Sequence, residues 1–328
     1  MASAKRRQLV ALAGAILLAA VLPAGAQPTK RAWRVGLVHV GDDHMPPSYE
    51  PMREGMRALG YQDGVHVRYD FRNVPDEKAA LAAARALVQE PVDVIVAFDQ
   101  EACNAAHIAT KTIPIVMINA GNPVAAGFVK TLARPGGNMT GFAGRPELPT
   151  KELQILKEML PKIVKVLLIF DSHDAGSVGW RDEVRSAARS LGVTLVERDV
   201  INPADLKAIF SRLKPKEAEA VLFASATIRH RYQKIVLDLA NARGLAMVGS
   251  RKDVVQQGAL FGYTYDFATI GRAAAGRYLG KVLNGVKPGE LAVEEVTDYE
   301  LFINRTVAKR HGWPIPASVL LRAVQIYD

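Results

Sequence analysis

The chain has 328 residues, 49% of them hydrophobic and 23% charged, with 42 Lys and Arg against 33 Asp and Glu for a net charge of +9. That length supports two lobes with cores of their own, and that balance of apolar and charged residues excludes an intrinsically disordered chain. The basic residues are interleaved with acids, with no basic helix or aromatic-studded basic strip, which argues against a nucleic-acid surface.

The first 26 residues stand apart. Lys5, Arg6 and Arg7 precede an apolar run from Leu9 to Leu22, followed by Pro23-Ala24-Gly25-Ala26. A basic start, an apolar run too short to span a bilayer and an A-x-A site together predict a signal peptide covering 1–26, cut after Ala26. The pair Arg6-Arg7 alone does not separate twin-arginine from general export. Removing 1–26 lowers the net charge from +9 to +6, since it takes away three basic residues and no acid. The single cysteine, Cys103, cannot form an internal disulfide and reads as a buried structural thiol on a helix.

Arg34 to Val40 reads as a first buried strand running into a polar tip, Gly41-Asp42-Asp43-His44. Tyr49, Met52, Met56 and Leu59 recur at helical spacing, with Gly60 as the stop. Val65 to Phe71 alternates like a strand, and a helix follows over 76–89 with acids in its first turn and Pro91 beyond its end. Val92 to Phe98 is a third strand ending in Asp99-Gln100, and the helix holding Cys103 comes next. The run Ile115 to Ile118 then makes a fourth buried strand, which stops at Asn119-Ala120-Gly121-Asn122-Pro123. The spacing predicts a short helix over 124–132, with Pro123 at a position where its missing N–H costs nothing. Arg134-Pro135-Gly136-Gly137-Asn138 breaks that helix before a strand from Met139 to Phe142.

The rhythm then repeats. A helix over 151–160 puts Leu153, Leu156 and Leu160 on one face, and strand Val166 to Phe170 ends in Asp171-Ser172-His173-Asp174. Helix 178–191 and strand 194–198 follow, and a further helix opens at Asn202-Pro203. Strand Ala220 to Phe223 ends in Ala224-Ser225, a helix covers 229–243, and strand Leu245 to Val248 ends at Gly249-Ser250-Arg251. A strand from Leu260 to Tyr263 ends at Tyr265-Asp266, a long helix covers 267–284 up to Gly285, and short elements over 293–298, 301–303 and 306–311 finish the chain. Strands alternating with helices at this spacing predict an α/β fold with parallel, doubly wound sheets.

Several stretches carry a family resemblance in the same order: Thr112 to Phe142, R-E-G-M-R-A-L-G-Y-Q-D-G at 53–64, V-D-V-I-V-A at 92–97, K-E-L-Q-I-L-K-E-M-L-P at 151–161, G-S-R-K-D-V-V-Q-Q-G-A-L at 249–260 and Y-E-L-F-I-N-R-T-V-A-K-R-H-G at 299–312. The chain resembles the solute-binding proteins of ABC transporters in the tryptophan/tyrosine-binding group, which have the type I periplasmic binding protein fold. The resemblance covers nearly everything after residue 31. One position departs from it: the family often carries an acidic residue where Asn122 precedes Pro123. The resemblance implies two Rossmann-like lobes, 31–142 with 266–297 and 143–265 with 298–328, joined by a multi-strand hinge. It implies a periplasmic monomer that takes a small organic ligand, a carboxylate such as an aromatic amino acid, and hands it to an ABC permease. No cofactor and no stable membrane insertion after signal removal are expected.

In parallel α/β sheets ligands bind beyond the carboxyl ends of the strands. That rule selects Asp42, Asp99, Gln100, Asn119 and Asn122 in the first half and Ser172, Ser225, Arg251 and Tyr263 in the second. Helix N-termini at the same tips suit a carboxylate, and a guanidinium at Arg251 can grip one with two parallel bonds. Asn122 and Ser172 read more readily as helix caps than as ligand contacts, and the alternative for Arg251 is a surface partner of Asp253. Tyr49, Phe98, Tyr263 and Tyr265 lie near tips and could cover a flat ligand or pack in the core.

Enzyme motifs are missing: there is no G-x-S-x-G, no H-E-x-x-H, no G-x-x-x-x-G-K-[ST] and no G-x-G-x-x-G after a strand. The seven histidines never pair at metal-ligand spacing. Two rivals are the effector module of a transcriptional repressor, disfavoured by the export signal and the lack of a helix-turn-helix, and an exported α/β hydrolase, for which no nucleophile–base pair is visible.

Overall fold

The computed structural model describes residues 31–328 except 42–44, 91 and 146. The expected signal peptide over 1–26 and the candidate Asp42 therefore lie outside the described residues. Among those described, no helix is long and apolar enough to cross a membrane.

The first half builds strands β1 (Trp33–Val40), β2 (Val67–Val74), β3 (Val94–Ala97), β4 (Ile115–Met117) and β5 (Met139–Ala143). Helices α1 (Tyr49–Ala58), α2 (Glu77–Gln89) and α3 (Gln100–Ala109) alternate with them. The second half repeats the pattern with α4 (Leu148–Met159), β6 (Lys165–Phe170), α5 (Ala175–Ser190), β7 (Thr194–Asp199), α6 (Pro203–Arg212), β8 (Ala220–Phe223), α7 (Ala226–Ala242), β9 (Ala246–Gly249), α8 (Lys252–Gln257) and β10 (Phe261–Tyr265). The chain ends through α9 (Phe267–Ala274), α10 (Gly280–Leu283), β11 (Glu294–Glu295), β12 (Tyr299–Asn304), α11 (Arg305–Arg310), α12 (Ala317–Leu320) and β13 (Gln325–Tyr327).

These strands form two sheets, ordered β2-β1-β3-β4-β5-β11 and β7-β6-β8-β9-β10-β12-β13. The first five strands of each half thus take the same order, a doubly wound arrangement written twice. All pairings are parallel except β10 with β12, where the returning chain runs antiparallel. The apolar runs read from the sequence follow from burial on both faces. Val35 and Leu37 of β1 join one core cluster while Val38 and Val40 join the cluster on the opposite face. In β6, Val166 and Leu168 face one cluster and Leu167 and Ile169 the other.

Caps fix most helix starts as expected. Asp76 accepts from Ala79 N–H, and Asn202 forms a reciprocal capping box with Asp205 ahead of Pro203. One expectation fails and another is met with a local change. Residues 124–132 form no helix: Asn122 and Pro123 accept the bonds of a single turn, Gly127 enters the left-handed region at φ 73°, and Phe128 and Val129 drop into the core. The long helix over 267–284 is interrupted by a π-helical turn at Ala275–Leu279 before it stops near Gly285, whose φ is 92°. The small residues here let helices touch. A side chain at Gly271 would stand 2.3 Å from the Ser48 carbonyl oxygen, and one at Gly55 would stand 2.7 Å from Ala275 Cβ.

The chain passes between the sheets beside β5, β10 and β11. Thr140 Oγ1 donates to the Leu291 carbonyl (2.7 Å), Val296 N–H to Ala143 (3.0 Å) and Asp266 N–H to Asp298 (3.1 Å), so the crossing segments are tied to one another. Cys103 is fully buried, and burial raises its thiol pKa, as suits a structural role.

Candidate ligand-binding site

Beyond the carboxyl end of β3, the buried strand hands over to α3 through Asp99. Its Oδ1 accepts from Ala102 N–H (2.7 Å), and its Oδ2 lies 2.8 Å from both Val40 N–H and His39 Nδ1. Asp99 therefore caps α3 and stitches it to the end of β1, the two strands between which the sheet order reverses. Behind it, Tyr49, Phe71 and Phe98 form a ring cluster with centroids 5.3–6.3 Å apart. Tyr49 and Phe98 are buried, so both serve the core.

Gln100 and Asn119 are brought together by missing side chains. A Cβ on Gly121 would stand 2.8 Å from Gln100 Oε1, and one on Gly144 would stand 2.9 Å from Asn119 Oδ1 and 2.8 Å from Tyr265 Oη. Gln100 Oε1 is shut from solvent without a protein hydrogen bond. The ends of β3, β4 and β5 and Tyr265 thus meet in one closely packed polar cluster. Burial pushes the Tyr265 pKa up to about 12, opposed by the Arg229 charge and by the Arg145 backbone and Tyr299 hydroxyl beside it. Asn122 stands apart from this group, its Oδ1 accepting from Ala125 N–H at 3.0 Å.

The second sheet presents the equivalent tip after β8. Ser225 is buried and caps α7 by accepting from Ile228 N–H (3.2 Å). One turn on, Arg229 makes a two-pronged, buried pair with Glu152 of α4 and donates to the Tyr263 carbonyl at 3.2 Å. Burial raises the Glu152 pKa and the Arg229 charge opposes that. The Tyr263 ring stacks on Tyr299 with centroids 4.9 Å apart and planes 8° from parallel. Ser172 donates through its hydroxyl to Asp199 (2.6 Å), and Arg251 forms a fork with Asp253 at 2.9 and 2.6 Å. The guanidinium is half-buried and depresses the Asp253 carboxyl pKa.

Two further bonds close the mouth between the sheets. Thr227 Oγ1 of α7 donates to Glu101 Oε1 of α3 at 2.8 Å, and Arg231 Nη2 of α7 donates to the Pro75 carbonyl before α2 at 2.7 Å. Glu101 and Thr227 each sit two residues after their helix cap, Asp99 and Ser225, so the contact joins equivalent positions of the two halves. Burial first, and the Asp99 charge second, push the Glu101 pKa up to about 7. Sequence reasoning stopped at the caps and missed Glu101, Thr227, Arg229, Arg231 and Gly144. The repeated spacing from cap to second helical residue was the one signal that could have found the first two.

The sequence model of the family described as ABC transporter substrate binding protein matches residues 36–327. A curated relative, the "Tyrosine-binding protein" of Clostridioides difficile (strain R20291), is 28% identical over 268 residues, 80% of this chain and 77% of its own. A conserved domain protein of Vibrio cholerae O1 biovar El Tor is 26% identical with a TM-score of 0.81, covering 90% of this chain and 100% of that one. The crystal structure of an ABC domain from Streptococcus pneumoniae in complex with L-Trp shares the fold, at 24% identity and a TM-score of 0.79 over 90% of this chain and 99% of that one. These matches describe solute-binding proteins rather than enzymes. With two doubly wound sheets and a polar mouth at their strand ends, this chain belongs to the ABC transporter substrate-binding protein family.

Proposed function

We propose that this protein is exported, captures a small carboxylate such as an aromatic amino acid between two lobes, and delivers it to an ABC permease. The lobes are 31–142 with 266–297 and 143–265 with 298–328, and they hinge near Thr140, Asp266 and Asp298. The observation that carries this is the paired strand ends, with Thr227–Glu101 and Arg231–Pro75 bonding across the mouth. Such bonds belong to a shut form, and a ligand that touches both lobes favours that form by its extra contacts there. Gln100 and Asn119 offer polar atoms to the ligand from the first lobe, and the start of α7 at Ser225 offers them from the second. Arg251 contributes only by exchanging Asp253 for a ligand carboxylate.

Calorimetry with L-tyrosine, L-tryptophan and L-phenylalanine, paired with small-angle scattering, tests this. Saturable binding of at least one of them, with a smaller radius of gyration at saturation, is expected. No binding of any of the three at millimolar concentration would remove the ligand class, and binding without compaction would remove closure. Export is checked separately by the intact mass of the secreted protein, expected to begin at Gln27. A mass that retains 1–26 refutes processing after Ala26.

A further inference from the structure

The two bonds across the mouth need no ligand atom, and each joins a helix of the second half to the first half. Whatever shuts the mouth must form them, and whatever opens it must break them. The charged surroundings of Glu101 are mostly of its own sign. Asp99 stands two residues before it, holding His39 on its far side. Glu77 of α2 is bonded to Asn104, one turn further along the helix of Glu101. Across the mouth, Asp174 at the start of α5 feels the charge of Glu77, which helps to raise its pKa. The cation acting on Glu101 is Arg231, whose guanidinium also donates to the Pro75 carbonyl. We propose that Glu101, Thr227 and Arg231 form a closing latch, and that Glu101 enters it as the neutral acid, so that shutting the mouth takes up a proton. This rests on the closure described under the proposed function and adds to it a regulation by pH.

The sign follows from linkage. In the shut form burial and Asp99 hold Glu101 up to about 7, opposed by the Thr227 hydroxyl and its own backbone N–H. In an open mouth the carboxyl returns to water, where a glutamate titrates near about 4.3. Between those values the shut form holds a proton that the open form lacks, so closure weakens as pH rises through that window. One proton changes the ratio of shut to open by at most about tenfold per pH unit. Above the window the ratio is flat.

The test uses the ligand-free protein with spin labels at Val65→Cys and Ile201→Cys, both exposed positions, while the buried Cys103 stays unlabelled. Distance distributions are recorded at pH 5.5, 6.5 and 8. Two populations are expected, with the shut-to-open ratio falling about thirtyfold from pH 5.5 to 8. Glu101→Gln keeps an acceptor for Thr227 without a titrating proton, so most of that slope disappears and the shut form persists at pH 8. Thr227→Val lowers the shut fraction at every pH. Two populations whose ratio follows pH identically in the parent and Glu101→Gln, or is unmoved by Thr227→Val, overturn the latch while closure stands. A single distance in every variant at every pH overturns closure and the latch together.

Discussion

Replacing Arg229 with alanine is expected to cost about 3–5 kcal/mol of stability, because it leaves the Glu152 carboxyl buried without its partner. The side chains are only 7% and 1% exposed, and the guanidinium also holds the Tyr263 carbonyl. In the variant Glu152 has no nearby cation to oppose burial, so its folded pKa rises further above the unfolded value of about 4.3. A raised carboxyl pKa means the folded state binds the extra proton. At low pH both proteins keep Glu152 neutral and the deficit is small; it grows as pH rises past the parent's folded pKa of about 7 toward the variant's higher one. Urea unfolding at pH 5 and pH 8 measures this, with the larger loss expected at pH 8. The double variant Arg229→Met with Glu152→Leu should recover most of it, since a packed apolar pair carries no desolvation penalty. A single variant within about 1 kcal/mol of the parent at pH 8 would show the pair to be dispensable, as surface pairs are.

Gly141→Ala is expected to lose about 3 kcal/mol or more, from backbone strain and overpacking together. Gly141 lies in β5 at φ 134°, and a Cβ there would stand 2.1 Å from the Met117 carbonyl oxygen of the neighbouring strand. That atom is backbone and cannot swing away. The same segment continues through Gly144 to Asn119 and Tyr265, so a shifted β5 also displaces the polar groups there. Gly137 is the control: nothing stands within 4 Å of its Cβ position. Gly137→Ala should be neutral or stabilising by about 0.4–1 kcal/mol through the unfolded chain. Thermal and denaturant unfolding of both variants decide the matter, and equal stability of Gly141→Ala and the parent would mean that β5 moves freely.

Periodicity made the strands legible because burial on both faces leaves each one a continuous apolar run, as in β1 and β6. The helix starts were legible where a local cap dictates them, as at Asp76, Asp99 and Asn202. The helix expected over 124–132 misled because apolar residues at helical spacing look alike whether a helix carries them or a turn drops them inward, and Phe128 and Val129 do the latter. The short helix α8 and the strand β13 went unread because so few residues carry no period.

By itself, then, the sequence determined the α/β alternation, the polar tips and the order of elements, all of which follow from interactions within a few residues. The tertiary structure decided which tips meet. Glu101 and Thr227 are 126 residues apart and Glu152 and Arg229 are 77 apart, and no local pattern says that either pair will touch. It also turned Asp99 from a free carboxylate at a tip into a filled one, since His39 and Val40 arrive from a strand 60 residues earlier. Burial and neighbouring charge depend on such meetings, so the raised pKa of Glu101 and the pairing of Arg229 exist only once the two sheets have folded and come together.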